Sequence, residues 1–183
     1  MYRVVSASPE LVTIRPALPS ELPILSAIDD DAGALYPEHG LPIDLPPDHV
    51  FLRDERARWL SCAERGRVFV AVDEGDRALG FAALGAVDAE PYLEQLSVRV
   101  SAMRRGIGGR LLACAAEAAR ATGACVLWLT TYEHLSFNRP YYERHGYVVI
   151  PEAECGPELC HHLAEQRRYL PEPARRVAMR RVL

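Results

Sequence analysis

YLEQLSVRVSAMRRGIGGRLLAC, residues Tyr92 to Cys114, changes its period halfway. Leu96, Val98 and Val100 alternate with Ser97 and Arg99, which reads as a strand. Leu93 is out of phase with them, so the pattern shifts near Glu94 and Gln95. The second half opens with Arg104-Arg105-Gly106-Ile107-Gly108-Gly109 and continues with helical spacing. A strand, a cationic glycine-rich turn and a helix start together form an anion site. The glycines let backbone N–H groups converge, and the helix N-terminus adds positive dipole.

Two familiar phosphate loops do not fit. A Walker loop needs a lysine after its last glycine, and the chain has no lysine. A dinucleotide fingerprint needs a third glycine where Leu111 stands. The remaining pattern resembles the pyrophosphate loop of the GNAT acyltransferases, which bind acetyl-coenzyme A. That loop reads Gln/Arg-x-x-Gly-x-Gly/Ala. Gly106 and Gly108 match its glycines, and Met103 stands where Gln or Arg is usual. The departure removes one side-chain contact but leaves the backbone amides, with Arg104 or Arg105 to supply charge.

A second segment, TTYEHLSFNRPYYERHGY from Thr130 to Tyr147, strengthens the likeness. GNAT proteins carry an Asn after the fifth strand, then a helix with a Tyr, then Gly-Phe or Gly-Tyr opening the next strand. Asn138, Tyr142 and Gly146-Tyr147 match these features. The Asn-x-Pro-Tyr-Tyr-Glu-Arg-x-Gly-Tyr spelling resembles one bacterial branch, which also carries Leu/Ile-Glu-Gln-x-Ser-Val on the central strand. Here that segment is Leu93 to Val98.

The composition limits the alternatives. A chain of 183 residues, 49% apolar and 25% charged, is expected to form one soluble domain over 1–183, with residues 1–9 a loose lead-in. A net charge of −4 argues against a nucleic-acid partner. All 21 basic residues are arginine, which excludes a catalytic lysine. Five scattered cysteines favour a reducing, cytoplasmic setting, and Cys114 and Cys125 read as core thiols. No signal-peptide pattern or membrane-length apolar run is visible, so no membrane partner is expected. Cys155, Cys160, His161 and His162 match no common zinc spacing, and no metal is expected. No G-x-S-x-G is present.

Along the chain, Leu11 to Arg15 reads as a strand ended by Pro16. A helix follows, with Ser20 as its cap. Residues Asp29 to Asp48 are acidic and proline-rich, a long loop or a broken helix pair. Asp48 is read as the cap of a second helix ending near Arg65. Val68 to Val72 and Leu79 to Val87 form a hairpin around Glu74-Gly75-Asp76. After the central strand and its helix, Cys125 to Thr131 is a strand buried on both faces. A short helix (Asn138 to His145), a strand (Tyr147 to Ile150), a helix (Glu158 to Leu170) and a final strand (Arg175 to Leu183) complete the chain. Hairpins first and βα units later predict an α/β (α+β) fold, a GNAT-like mixed central sheet with helices on both faces.

The resemblance implies an N-acetyltransferase that moves acetyl from acetyl-CoA to a primary amine by direct attack in a ternary complex. Such chemistry needs a base for the amine, donors for the oxyanion and a proton for the leaving thiolate. Glu94 is the candidate base; the plain alternative is a solvent-facing carboxylate. Tyr142 is the candidate acid, a phenol protonated at neutral pH; the plain alternative is a core tyrosine. A bulge on the central strand, common in the family, frees a backbone N–H for the thioester carbonyl, here that of Val98. The coenzyme set implied is Ser97, Val98, Val100, Arg104, Arg105, Gly106, Ile107, Gly108, Gly109, Arg110, Asn138 and Tyr141. Asn138 also reads as a helix cap. Tyr36, Glu38 and Phe51, in and beside the acidic loop, are the candidate acceptor residues, with an amine or a peptide amino group as partner. A homodimer is compatible with the superfamily. An acyl-CoA-sensing module without turnover is the other reading, and Met103 leans towards it.

Overall fold

The computed structural model describes residues 11–183, and the expected lead-in at 1–9 lies outside them. Seven strands form one sheet in the order β1-β2-β3-β4-β5-β7-β6. They are β1 (Thr13–Pro16), β2 (Val68–Val72), β3 (Ala78–Val87), β4 (Glu90–Val98), β5 (Val126–Tyr132), β6 (Val148–Ile150) and β7 (Arg176–Val182). Neighbours are antiparallel except β4 and β5, which run parallel. The helices are α1 (Leu22–Gly33), α2 (Leu35–Glu38), α3 (Val50–Glu64), α4 (Ile107–Arg120), α5 (Arg139–Glu143) and α6 (Pro157–Tyr169). The mixed sheet with helices on both faces is as expected.

The apolar patterning explains the layers. On one face, Ile107, Leu111, Leu112, Ala115 and Ala119 of α4 pack on Leu84, Leu93, Leu127 and Leu129. Small alanines on that helix permit close approach to the sheet. On the other face, Leu25 and Ile28 of α1 and Trp59 of α3 cover Val68, Val70 and Phe81. Leu159 and Leu163 of α6 cover Tyr92, Trp128 and Ala178.

Several local expectations change. Ser20 does not cap a helix. A 3-10 turn, Pro19–Glu21, precedes α1, and the Glu21 carboxylate accepts from the Leu18 amide at 2.7 Å. The cap of α3 is His49 rather than Asp48; its Nδ1 accepts from the Phe51 amide at 3.2 Å. Of the two readings of the acidic stretch, the broken helix pair holds for its first part: Asp29, Asp30 and Asp31 lie on α1 and Glu38 on α2. Cys125 is exposed because β5 begins one residue later, at Val126. No helix among the described residues is long and apolar enough to cross a membrane.

Candidate active site

Two irregularities in β4 build the site. The first is a bulge. Ala83 of β3 pairs with Gln95 and Leu84 with Leu93, so Glu94 is the unpaired extra residue. A bulge puts consecutive residues on nearly the same face. Leu93 and Leu96 point into the α4 core, whereas Glu94, Gln95 and Ser97 all turn to the helices opposite. Glu94 meets Arg58 of α3 at 3.1 Å. Gln95 Nε2 and Ser97 Oγ each donate to Asp29 Oδ1 of α1 at 2.6 Å.

The second is a splay. β4 and β5 are paired only at Tyr92 and Trp128, and beyond that point they part. Arg99 donates to the Leu79 carbonyl at 2.8 Å, and Val98 stands opposite Gly80. In an antiparallel ladder hydrogen-bonded and non-bonded pairs alternate, so the Val98 N–H points away from β3 into the gap.

A cavity of about 330 Å³ fills the gap. Its wall includes Leu93 to Leu96 of β4, Leu129 to Tyr132 of β5, Tyr36, Phe51, Glu55, Asn138, Tyr142 and Arg176. Glu94 and Tyr142 therefore line one chamber together with Tyr36, Phe51 and Asn138.

The Glu94 side chain is 6% exposed. Burial raises its pKa, and the Arg58 guanidinium opposes the rise. His162 of α6 lies 3.9 Å from the same carboxylate. Burial, then Arg58, Arg176 and His161, push that imidazole down to about 4, so it stays neutral near pH 7. Tyr142 is half-buried; burial and the surrounding tyrosines raise its hydroxyl well above 10. It remains a proton donor at any physiological pH.

Asn138 occupies the N-cap position of α5, yet its side chain does not cap. Its backbone carbonyl accepts from Tyr141 and Tyr142 at 2.9 and 3.1 Å. The side chain turns to the cavity and to the Tyr36 hydroxyl. Its Nδ2 is buried without a partner. Tyr36 also packs edge-on against Tyr132 and Phe137. Glu38 is exposed at the end of the one-turn α2 and does not line the cavity.

The glycine turn opens α4 as its sequence implies. Gly106 is the N-cap at φ +77°, a conformation that suits glycine. Ile107 is buried in the core, so the turn is anchored and not a floppy loop. The first-turn amides, including those of Gly108 and Gly109, have no carbonyl to reach within the helix. Beside Gly108 stands the Tyr141 hydroxyl, 2.7 Å from where a Cβ would lie. That hydroxyl is buried and unpartnered. Arg104 and Arg105 are exposed on the turn, Arg104 at φ +60°. Other expected contacts are already engaged. Arg110 donates to the Val12 carbonyl at 2.7 Å. The Val100 amide donates to Asp31 at 2.7 Å, and the Ser97 hydroxyl to Asp29. Unpaired buried donors at Tyr141 and Asn138, with free amides at the helix mouth, fit a ligand that brings its own acceptors, as a diphosphate and an amide-bearing arm do.

Sequence reasoning missed Glu55, Arg58 and Arg176; it had Asp29 only as part of an acidic stretch and His162 only as a rejected metal ligand. Part of the signal was present. Phe51, Glu55, Arg58 and Trp59 repeat at helical spacing, so two charges sit on an otherwise inward face. Arg176 had no comparable signal, being one arginine among many on the last strand.

Residues 64–149 match the family model described as an acetyltransferase (GNAT) domain. Solved structures share the fold. PaiA N-acetyltransferase from Thermoplasma acidophilum, in complex with coenzyme A, superposes with a TM-score of 0.69 at 14% identity, over 94% of this chain and 99% of that one. An acetyltransferase of the GNAT family from Staphylococcus aureus Mu50 gives 0.66 at 16%, over 94% and 99%. N-acetylglutamate synthase from Neisseria gonorrhoeae, complexed with coenzyme A and N-acetyl-glutamate, gives 0.65 at 20%, over 97% of this chain but only 36% of the synthase. The seven-stranded sheet and its helices thus form a fold shared with proteins named as acetyltransferases. Residues 64–149 match a GNAT acetyltransferase domain, and the chain as a whole shares its fold with these proteins.

Proposed function

We propose that the protein is an acetyl-CoA-dependent N-acetyltransferase acting on a small primary amine, with Glu94 as general base and Tyr142 as general acid. The observation that carries this is their shared chamber, set where β4 and β5 part, with Tyr141 beside the lining residue Tyr142 reaching Gly108 at the opening of α4. The coenzyme supplies an acyl thioester. The amides of Gly106 to Gly109, with Arg104 or Arg105, hold its diphosphate. Asn138 and Tyr141 offer donors along its arm.

The chain's own groups then have defined tasks. Glu94 takes a proton from the amine, directly or through water, so that a neutral nitrogen attacks. The Val98 N–H, aimed into the gap, stabilises charge developing on the carbonyl oxygen. The C–N bond forms and the C–S bond then breaks as the Tyr142 hydroxyl gives its proton to the departing sulfur; the proton left on the acylated nitrogen returns to the Tyr142 oxygen, directly or through water, and completes the amide. No cysteine lines the chamber, which supports direct attack without an acyl-enzyme. Tyr36 and Phe51 form part of the acceptor's surroundings.

Thiol release from acetyl-CoA in the presence of an amine panel tests the reading. Turnover that collapses in Glu94→Gln and Tyr142→Phe supports it. Coenzyme binding without turnover for any amine leaves the sensing module instead. Turnover unchanged in both variants removes the assigned roles.

A further inference from the structure

The chamber holds two ionisable groups that acyl transfer itself does not require. The first is Arg176, at the start of β7 and 7% exposed. Its Nη2 donates to Gln166 Oε1 at 2.7 Å and to Thr130 Oγ1 at 3.3 Å. The guanidinium lies 4.7 Å over the Tyr132 ring. Among the described residues it forms no ion pair with a carboxylate, and its Nε is buried with no partner. A buried guanidinium is costly unless a carboxylate compensates it. Here neutral groups fix its orientation while its charge stays unanswered.

The second is Glu55 of α3, which lines the same chamber. The other two central carboxylates are committed. Asp29 accepts from Gln95 and Ser97, and Glu94 is paired with Arg58. Glu55 has no hydrogen bond or ion pair among the described residues, while it feels the acidic Asp29 and Glu94 on one side and the cationic Arg58 and Arg176 on the other. Burial, more than any neighbour, opposes its ionisation, which a cation placed beside it reverses.

We infer that the acceptor is a zwitterion, an amine that also bears a carboxylate, as in a free α-amino acid, with its carboxylate on Arg176 and its amino group beside Glu55. This rests on the chamber being the acceptor site of the proposed acetyltransferase. Paired charges explain both groups at once. A simple amine or polyamine leaves Arg176 uncompensated, and a peptide N-terminus lacks the adjacent carboxylate. Ile43, Leu45, Leu52 and Leu170 on the same wall suit an apolar side chain. The volume of about 330 Å³ suits a molecule of amino-acid size.

The test compares free α-amino acids with their amides, methyl esters and decarboxylated amines, using the wild-type protein and acetyl-CoA. The expected kcat/KM favours the free acid by about 10- to 100-fold, the range of a charge-assisted contact. Arg176→Gln closes that gap by lowering the acid alone, and Arg176→Lys restores part of it. If the amides or plain amines react as well as the acids in wild type, the inference is overturned while the acetyltransferase stands. Wild-type ligands decide this even if the variants do not fold. If no acceptor turns over, calorimetry with coenzyme A present takes its place. Tighter binding of acids than of amides keeps the inference and sinks the enzyme; binding of neither sinks the inference.

Discussion

Glu55 gives a stability experiment whose size follows from the structure. Burial carries its carboxyl from 4.5 up to about 8. In the unfolded chain it ionises near 4.5, whereas in the fold it keeps its proton until near pH 8. Between these values the unfolded state has lost a proton that the native state retains. Stability therefore falls as pH rises through this window and is flat below it. Each pH unit is worth about 1.4 kcal/mol, so the loss reaches about 3 kcal/mol by pH 6.5 and about 5 kcal/mol by pH 8. Glu55→Gln keeps the shape and removes the titration. Its stability relative to wild type should be near zero at pH 4.5 and should grow steadily towards pH 8. Thermal shift in matched buffers reads this as roughly 5–10 °C at pH 6.5 for a chain of this size. A difference that stays constant across the range, or shrinks as pH rises, refutes the assignment of Glu55 as a buried carboxyl without a protein partner. A stabilising variant that also loses acceptor binding would show that the group is kept for function at a cost to the fold.

Three further outcomes concern the chemistry. Glu94→Gln should lower kcat/KM by about 10²-fold or more, the usual scale for a lost general base, and should leave coenzyme affinity unchanged by calorimetry. In wild type the acidic limb of the kcat/KM profile should lie above the ordinary carboxylate range, because burial raises Glu94; this limb should vanish in the variant. Tyr142→Phe should reduce kcat, and a donor with a better leaving thiol should recover much of it, since such a thiol needs its proton less. Gly85→Ala should act on Glu94 from the neighbouring strand. A Cβ there would lie 2.3 Å from Glu94 Oε1, so the carboxylate must move. Activity should fall while Tm and coenzyme binding hold.

The sheet was legible wherever one face of a strand is apolar. Val68 to Val72 and the residues around Leu127 to Leu129 announce themselves by burial alone. The break at Leu93 to Gln95 showed that β4 was irregular, and the structure makes it a bulge. Helix starts were less legible. Ser20 and Asp48 are good caps by type, but a proline-led turn and His49 hold those positions. The glycine turn at the mouth of α4 could be read because it is a local motif. On the proposed acceptor side of the chamber only Tyr36 and Phe51 could be read, because Glu55, Asp29 and Arg176 come from α3, α1 and β7 and meet only through tertiary packing.

The surplus residue in β4 has a consequence for what the chain can tolerate. Remove Glu94 itself and Leu93 stands next to Gln95, so strict alternation returns with Leu93 and Leu96 still on the core and Gln95 and Ser97 still towards Asp29. Only the carboxylate beside Arg58 is gone. One missing codon at that position thus spares the ladder and empties the chamber of its proposed base, whereas a codon lost at Leu93 or Leu96 leaves a side chain on the wrong face.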